Sequence, residues 1–406
     1  MARAVPAALL VVCLLAATAT GTAAPPPQAQ TGQLDDDGRT ADLEMLGLDA
    51  TSRSDVTTPG VDVSTAMAIQ RDAASSEIDR RALGIAFERT EEEQARRELL
   101  FEAATDVEIA ISELRTDTRE IRSNYVNGTV RTETYVQRRA VADARTGQLR
   151  TDLELIQQYA DRVPQLSMRS RLDALQVALI GADGPVGERA AATIAGESSP
   201  FSVYVDVSSD GRVLSMVSED RYVREAYRSD LWTPDTNTGI TFDEAVARTN
   251  ELYPVAFNSS RNIGRGVGEH GAGTYEITME VREGDIVTYL DGDTRNVFFE
   301  TQHFSLASIE PGPSATATDN GTRLVVNRSA DGGPLRVEVL DNATRAPVDV
   351  TTVVGDTRYR TGADGVVWAI DPAGPTDVVA VGEAGNVSVT VHPLTPSLVE
   401  AEPVEG

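Results

Sequence analysis

The 406-residue sequence predicts a multidomain α+β protein: an N-terminal antiparallel helical hairpin or coiled coil, a mixed α+β domain, and a C-terminal β-sandwich. Three observations lead there. Within residues 61–185, apolar side chains recur at alternating steps of three and four, the spacing of a helical seam. Within residues 200–308, runs that alternate apolar and polar are interleaved with helix-type stretches. Within residues 323–392, the alternating runs are short and divided by Gly-, Asp- and Asn-bearing turns, the pattern of an all-β unit.

Residues 1–24 read as a signal peptide, with Arg3 as its positive charge, an apolar run over 7–17 and small residues at 17–19 and at Ala29 as cleavage sites. Residues 25–60 are rich in Pro, Asp, Gly and Thr and contain "DDDG", so they are expected to form a disordered acidic linker. The single cysteine, Cys13, sits inside the apolar run, so a processed chain has no disulfide and no thiolate chemistry. No later stretch is apolar enough to span a bilayer, and no transmembrane segment is expected beyond the signal peptide.

Two helices of the 61–185 region carry clear seams. One runs Ala104, Val107, Ile111, Leu114, Thr118, Ile121, Tyr125; the other runs Tyr135, Arg139, Ala142, Thr146, Leu149, Leu153, Ile156, Ala160, Val163. The "YVNGTVRT" turn between them is short, which makes the pair antiparallel. Thr90 and Glu93 have capping-box spacing and are expected to start the first of the two. An earlier helix over about 64–88 and a short one over about 166–180 complete the region.

From residue 200, "FSVYVDV" and "RVLSMV" around "SSDG" predict a hairpin. The charged stretch "EDRYVREAYRSDLW" is expected to be a short helix. A second helix opens at "TFDEAVA" with a Thr241/Glu244 capping box, and the strands "TYEITMEV", "DIVTYLD" and "RNVFFETQHFSL" follow. This segment, about 240–305, resembles a PepSY-type domain through its "TFDEAVA" helix, its "YEITMEV" strand and its "YLDGDTRNVFFE" close. It departs from that pattern by the insertion "FNSSRNIGRGVGEHGAG" and by Arg295, where the family often has Gly. The resemblance implies a non-catalytic module of exported proteins, including inhibitory or chaperoning parts of protease precursors.

Residues 309–322 are expected to be a linker and 393–406 a tail. The line "VLDNATRAPVDVTTVVGDTRYRTGADGVVWAIDPAG" resembles the Ig-like repeats of surface and adhesion proteins, including carboxypeptidase-regulatory-like domains. That resemblance implies a β-sandwich acting as a spacer, a stabiliser or a surface binder.

There are 63 acidic residues against 36 basic ones, a net charge of −27, and no lysine at all. Carboxylate excess with lysine absent resembles the proteins of extremely halophilic archaea. In molar salt the Debye length falls to about 3 Å, so carboxylates scarcely repel while still holding water and cations. The same charge argues against nucleic acid as a partner, since phosphates would be repelled. Six of the eleven asparagines lie in Asn-x-Ser/Thr triplets: Asn127, Asn258, Asn320, Asn327, Asn342 and Asn386. They are glycosylation candidates and favour an extracellular address, secreted or on the outer face of the membrane.

No catalytic, cofactor-binding or metal-binding residues are assigned. "GVGEHG", residues 266–271, has the spacing of a dinucleotide-binding turn, but a helix precedes it and a strand follows it, the reverse of what places helix amides against a phosphate. His270, His303 and His392 are far apart and in no metal-ligand spacing. The sequence therefore predicts a non-enzymatic, exported envelope or secreted modular protein of a halophilic archaeon. Its role is structural or adhesive, with a protein or envelope component as partner. The alternatives are a PepSY-type regulator of an exported protease and, less favoured, an unrecognised hydrolase. One consequence is directly testable: at 10 mM salt the excess charge repels over about 30 Å instead of about 3 Å. Circular dichroism should show the fold lost in dilute buffer and regained in molar potassium chloride, and an unchanged spectrum would contradict the halophilic reading.

Overall fold

Segments that the sequence divides into tethers and modules pack against one another in the three-dimensional structure, a computed structural model describing residues 43–233, 239–264, 273–383, 385–392 and 394–401. The signal peptide, half of the acidic linker and the "GVGEHG" loop with His270 lie outside those residues.

The expected linker over 25–60 is corrected from Leu43 onward. Glu44 and Leu46 are buried, and β1 (Arg53–Thr57) is an edge strand paired antiparallel to a strand 150 residues later in the chain. α1 (Val63–Arg89) starts at Asp62, whose carboxylate accepts from the Thr65 amide at 2.7 Å. The Thr90 capping box does not form. Its hydroxyl donates to the Ala86 carbonyl at 2.8 Å and so closes α1 instead, and α2 (Glu93–Val126) begins without a side-chain cap.

α2 and α3 (Thr132–Ala160) bury the anticipated seams: Leu100, Ala104, Val107, Ile111 and Leu114 share a core with Ala142, Leu149, Leu153, Ile156 and Ala160. α1 lies along α3 as a third helix, with Phe87 stacked on Tyr159 at 4.5 Å. The short helix is trimmed to α4 (Arg169–Val177), and a further helix, α5 (Pro185–Ile194), starts with proline at its first position.

Next come β2 (Ser202–Val207), β3 (Gly211–Ser218) and β4 (Arg221–Arg228). β4 overturns the helix expected for "EDRYVREAYRSDLW". Arg224, Glu225 and Arg228 are buried strand residues rather than a solvated helix face. α6 (Phe242–Leu252) does start with the reciprocal Thr241/Glu244 box, and α7 (Pro254–Ser259) follows directly. β5 (Asn262–Gly264), β6 (Thr274–Glu280), β7 (Gly284–Asp291) and β8 (Asn296–Ser305) complete a single antiparallel sheet of order β1-β2-β3-β4-β8-β7-β6-β5. Strand alternation gives this sheet two faces. Val203, Val205, Val207, Leu214, Met216 and Val223 meet Tyr135, Val136 and α5 on one side. Tyr204, Val213, Tyr222 and Ala226 point to the other side and join a core that includes Ala245 and Leu252 of α6 and Ala256 of α7.

The expected linker over 309–322 is also corrected: β9 (Ser314–Asp319) is a strand of the C-terminal sandwich. With β10 (Thr322–Asn327), β11 (Pro334–Asp341), β12 (Thr351–Val354), β13 (Thr357–Arg360), β14 (Val366–Ile370), β15 (Thr376–Gly382) and β16 (Gly385–Val391) it forms two four-stranded antiparallel sheets, β14-β11-β10-β9 and β13-β12-β15-β16, around a Val- and Leu-rich core. This sandwich packs on the large sheet. Tyr222 donates to the Gly332 carbonyl at 3.2 Å, and Ser202 and Tyr359 share a hydroxyl hydrogen bond of 3.0 Å. The expected tail returns too: Met45 and Leu398 form a bridge, and Val399 is buried.

Arg295 adopts φ +56° in the β7–β8 turn, the position where the PepSY-type pattern favours glycine. A left-handed conformation costs an L-residue about 1–2 kcal/mol, part of which glycine returns as unfolded-chain entropy. Arg295→Gly is therefore expected to raise stability by up to about 1 kcal/mol. Thermal unfolding in molar salt measures it, and a lowered midpoint would show that the arginine side chain contributes more than its backbone costs.

Candidate functional site

The sequon asparagines are dispersed. Asn127, Asn258, Asn320, Asn342 and Asn386 are exposed. Asn327 is half-buried, and its amide donates to the Gly312 carbonyl at 2.9 Å, which ties up the nitrogen that glycosylation would need. His303 is half-buried on β8, where burial lowers its pKa, and His392 is exposed near the end of the sandwich. Among the described residues, no group of three or more His, Cys, Asp or Glu is arranged to hold a metal ion, and no helix is long and apolar enough to cross a membrane.

Charge is concentrated where local sequence patterns carry little warning, on both faces of β4. Its neighbours Arg224 and Glu225 point to opposite sides of the sheet. On the α6–α7 side, Glu300 of β8 is fully buried. It accepts from Arg224 at 2.7 Å, the Tyr253 hydroxyl at 2.7 Å, the Leu46 amide at 2.8 Å and Gln302 at 3.0 Å. Burial raises the Glu300 pKa, against the pull of Arg224 and these hydrogen bonds.

On the helical side, Glu225 accepts from the Val186 amide at 3.1 Å and lies 3.5 Å from Arg212. Arg139 of α3 pairs with Asp143 one turn on at 2.8 Å and also donates to the Ala182 carbonyl at 2.7 Å. Arg212 donates to the Gly181 carbonyl at 2.6 Å. All four charged side chains are at most 5% exposed. Burial, with Glu225 adding to it, pushes the Asp143 carboxyl up to about 8 against the pull of Arg139. Its Oδ2 has no hydrogen-bond partner. Glycines make the room: a Cβ on Gly187 would lie 1.4 Å from Asp143 Oδ2, and one on Gly184 2.0 Å from Glu225 Oε2.

Arg139 and Arg212 also line a cavity of about 700 Å³ between α2, α4 and the sheet. Tyr135, Tyr227 and Trp232 supply aromatic walls, and Trp232 is backed by Phe298 stacked at 4.8 Å. Arg115, Arg119 and Arg122 enter from α2. The sequence reading missed this site. Arg139 stands at a seam position otherwise filled by apolar or small residues, with Asp143 four residues later, and Arg115, Arg119 and Arg122 follow the i, i+4, i+7 spacing of one helix face. Both signals were legible, but without the strands opposite they read as an ordinary seam and a solvated face.

Three family models match in succession. Residues 1–199 match a domain of unknown function (DUF7096), residues 203–310 a family of unknown function (DUF7094), and residues 313–389 an archaeal fibronectin-III type-like domain. The last agrees with the expected Ig-like sandwich and begins at β9 rather than at residue 323. The PepSY-type resemblance gains no support from the match that covers its segment. No curated protein matches the chain. The first boundary falls between α5 and β2, so β1 and β2, and likewise Asp143 and Glu225, belong to different matched families although they pack together.

Two outcomes follow from the buried charges. Gly187→Ala should destabilise the protein by about 2–3 kcal/mol, because the added methyl meets the buried Asp143 carboxylate that Arg139 holds in place. Asp143, raised to about 8 from an ordinary 3.8, holds a proton in the folded chain that the unfolded chain has released. Its contribution to stability is therefore full at low pH and is lost as pH climbs from about 4 to about 8. Asp371 and Asp206, raised by burial to about 7 and about 6, act with the same sign. Thermal midpoints in molar salt should fall over that range, and Asp143→Asn, a permanent mimic of the neutral acid, should flatten the slope.

Proposed function

We propose that this chain is an exported, non-enzymatic modular protein of a halophilic archaeal cell envelope, with a structural or adhesion-type role and a protein or envelope component as its partner. The observation that carries this reading is the archaeal fibronectin-III type-like match at residues 313–389, on a chain whose other two matched segments are also domain-sized. Sandwiches of this kind serve as spacers and interaction modules. The lysine-free, strongly acidic composition supports a high-salt setting. The exposure of five of the six sequon asparagines supports surface glycosylation. Regulation of an exported protease rests on the PepSY-type resemblance alone and has no structural observation in its favour.

The reading is tested by cell fractionation with mass spectrometry of the isolated chain. The expected outcome is recovery from envelope or medium, an N-terminus near residues 20–30, and glycan on several of Asn127, Asn258, Asn320, Asn342 and Asn386, with Asn327 unmodified. An unprocessed, unmodified chain in the cytoplasm would overturn it.

A further inference from the structure

We propose that the arginine-lined cavity between α2, α4 and the sheet is a binding site for a small organic oxyanion, a carboxylate or phosphomonoester carrying an apolar body. The inference does not depend on where the protein resides.

The charge of the cavity runs against that of the chain. With 63 acidic residues against 36 arginines, carboxylate partners are plentiful, and many arginines have one. Arg115, Arg119 and Arg122 form no ion pair among the described residues. Arg119 donates only to the Arg115 carbonyl at 3.2 Å and to the Thr116 hydroxyl at 3.2 Å. Arg122 reaches Ser229 at 3.5 Å. Arg115 rests over the Trp232 ring, 5.1 Å from its centre. Like charges at these helix spacings repel, so three arginines in a row oppose helix stability unless an anion joins them. The carboxylate on the cavity wall, Glu108, is engaged elsewhere, 2.6 Å from Arg171.

The floor supplies an independent second observation. Arg139 and Arg212, whose side chains are 3% and 5% exposed, each retain a buried Nε–H with no acceptor. Unpaired buried donors are costly and uncommon. The floor holds two carboxylates, Asp143 and Glu225, against these two cations, so the uncompensated positive charge of the cavity is that of Arg115, Arg119 and Arg122. Planar guanidinium groups that converge on one space match the paired oxygens of a carboxylate or phosphate. The remaining lining includes Ile111, Leu175, Ile180, Tyr227 and Trp232. A bare inorganic ion would leave that apolar surface wet, whereas a ligand with an aryl or alkyl body would cover it.

Trp232 provides the readout. The chain has one other tryptophan, Trp368, and full-length protein carrying Trp368→Phe reports from the cavity alone. Phenyl phosphate, benzoate and inorganic phosphate are titrated separately in molar potassium chloride, which screens diffuse attraction. Calorimetry on the unsubstituted protein serves as a label-free check. Saturable binding of phenyl phosphate or benzoate is expected, with inorganic phosphate weaker by about tenfold or more; the stronger of the two aryl probes identifies the anionic group. Arg119→Gln, at the exposed mouth, should weaken binding by about tenfold with an unchanged circular dichroism spectrum, and Arg115→Gln with Arg119→Gln should weaken it further. The proposal is overturned if neither aryl probe saturates, if inorganic phosphate binds as tightly as they do, or if the arginine substitutions leave binding unchanged.

Discussion

Two adjacent residues of β4 set the constraint on which the rest of the molecule depends. Arg224 and Glu225 are buried on opposite faces of the central region of an eight-stranded sheet. A buried charge without partners costs several kcal/mol, so each face must bring groups to it. Arg224 requires Glu300, and Glu300 in turn requires Tyr253 of the α6–α7 corner and the backbone of Leu46. Glu225 requires the first turn of α5. Neither face can be assembled from one stretch of chain, and the ionic requirements of a single strand knit together segments about 180 residues apart.

Two of the helices involved share one device. α5 and α7 both begin Pro-Val, and proline at the first position leaves the following amides as the donors to be satisfied. Neither helix has a local side-chain cap. Glu225 accepts from the Val186 amide, and Glu44 accepts from the amides of Val255 and Ala256 at 2.8 and 3.0 Å. A distant carboxylate thus performs the work of an N-cap and sits at the positive end of the helix dipole. The stability of each helix is thereby coupled to tertiary contact, and Glu44 turns what reads as a tether into part of the fold.

The absence of lysine bears on how these sites are built. Guanidinium groups donate through several nitrogens in a plane and tolerate burial better than an ammonium. Arg139, Arg212, Arg224 and Arg328 each bridge a carboxylate and backbone carbonyls in this way, and Arg328 does so in the sandwich through Asp371, Pro372 and Gly374. Where a cation is buried in this chain it is therefore an arginine, held by directional pairing.

The sequence by itself determined whatever depends on local spacing. The α2 and α3 seams, the Thr241 capping box, the strand alternation of "YEITMEV" and the turns of the sandwich were legible because periodicity and cap chemistry act within a few residues. It also determined the charge excess and the sequons. Only the tertiary structure decided β4, because its buried charges look like a solvated helix until the opposing Glu300 and α5 are in place. It likewise decided the fate of residues 43–60, 309–322 and 394–401. Their composition is that of linkers, yet strand pairing and the Glu44 and Leu46 contacts hold them. The arginine cavity belongs to the same class. Its walls come from segments more than 100 residues apart, and no local pattern can show that three arginines on one helix face open onto two more buried beneath them.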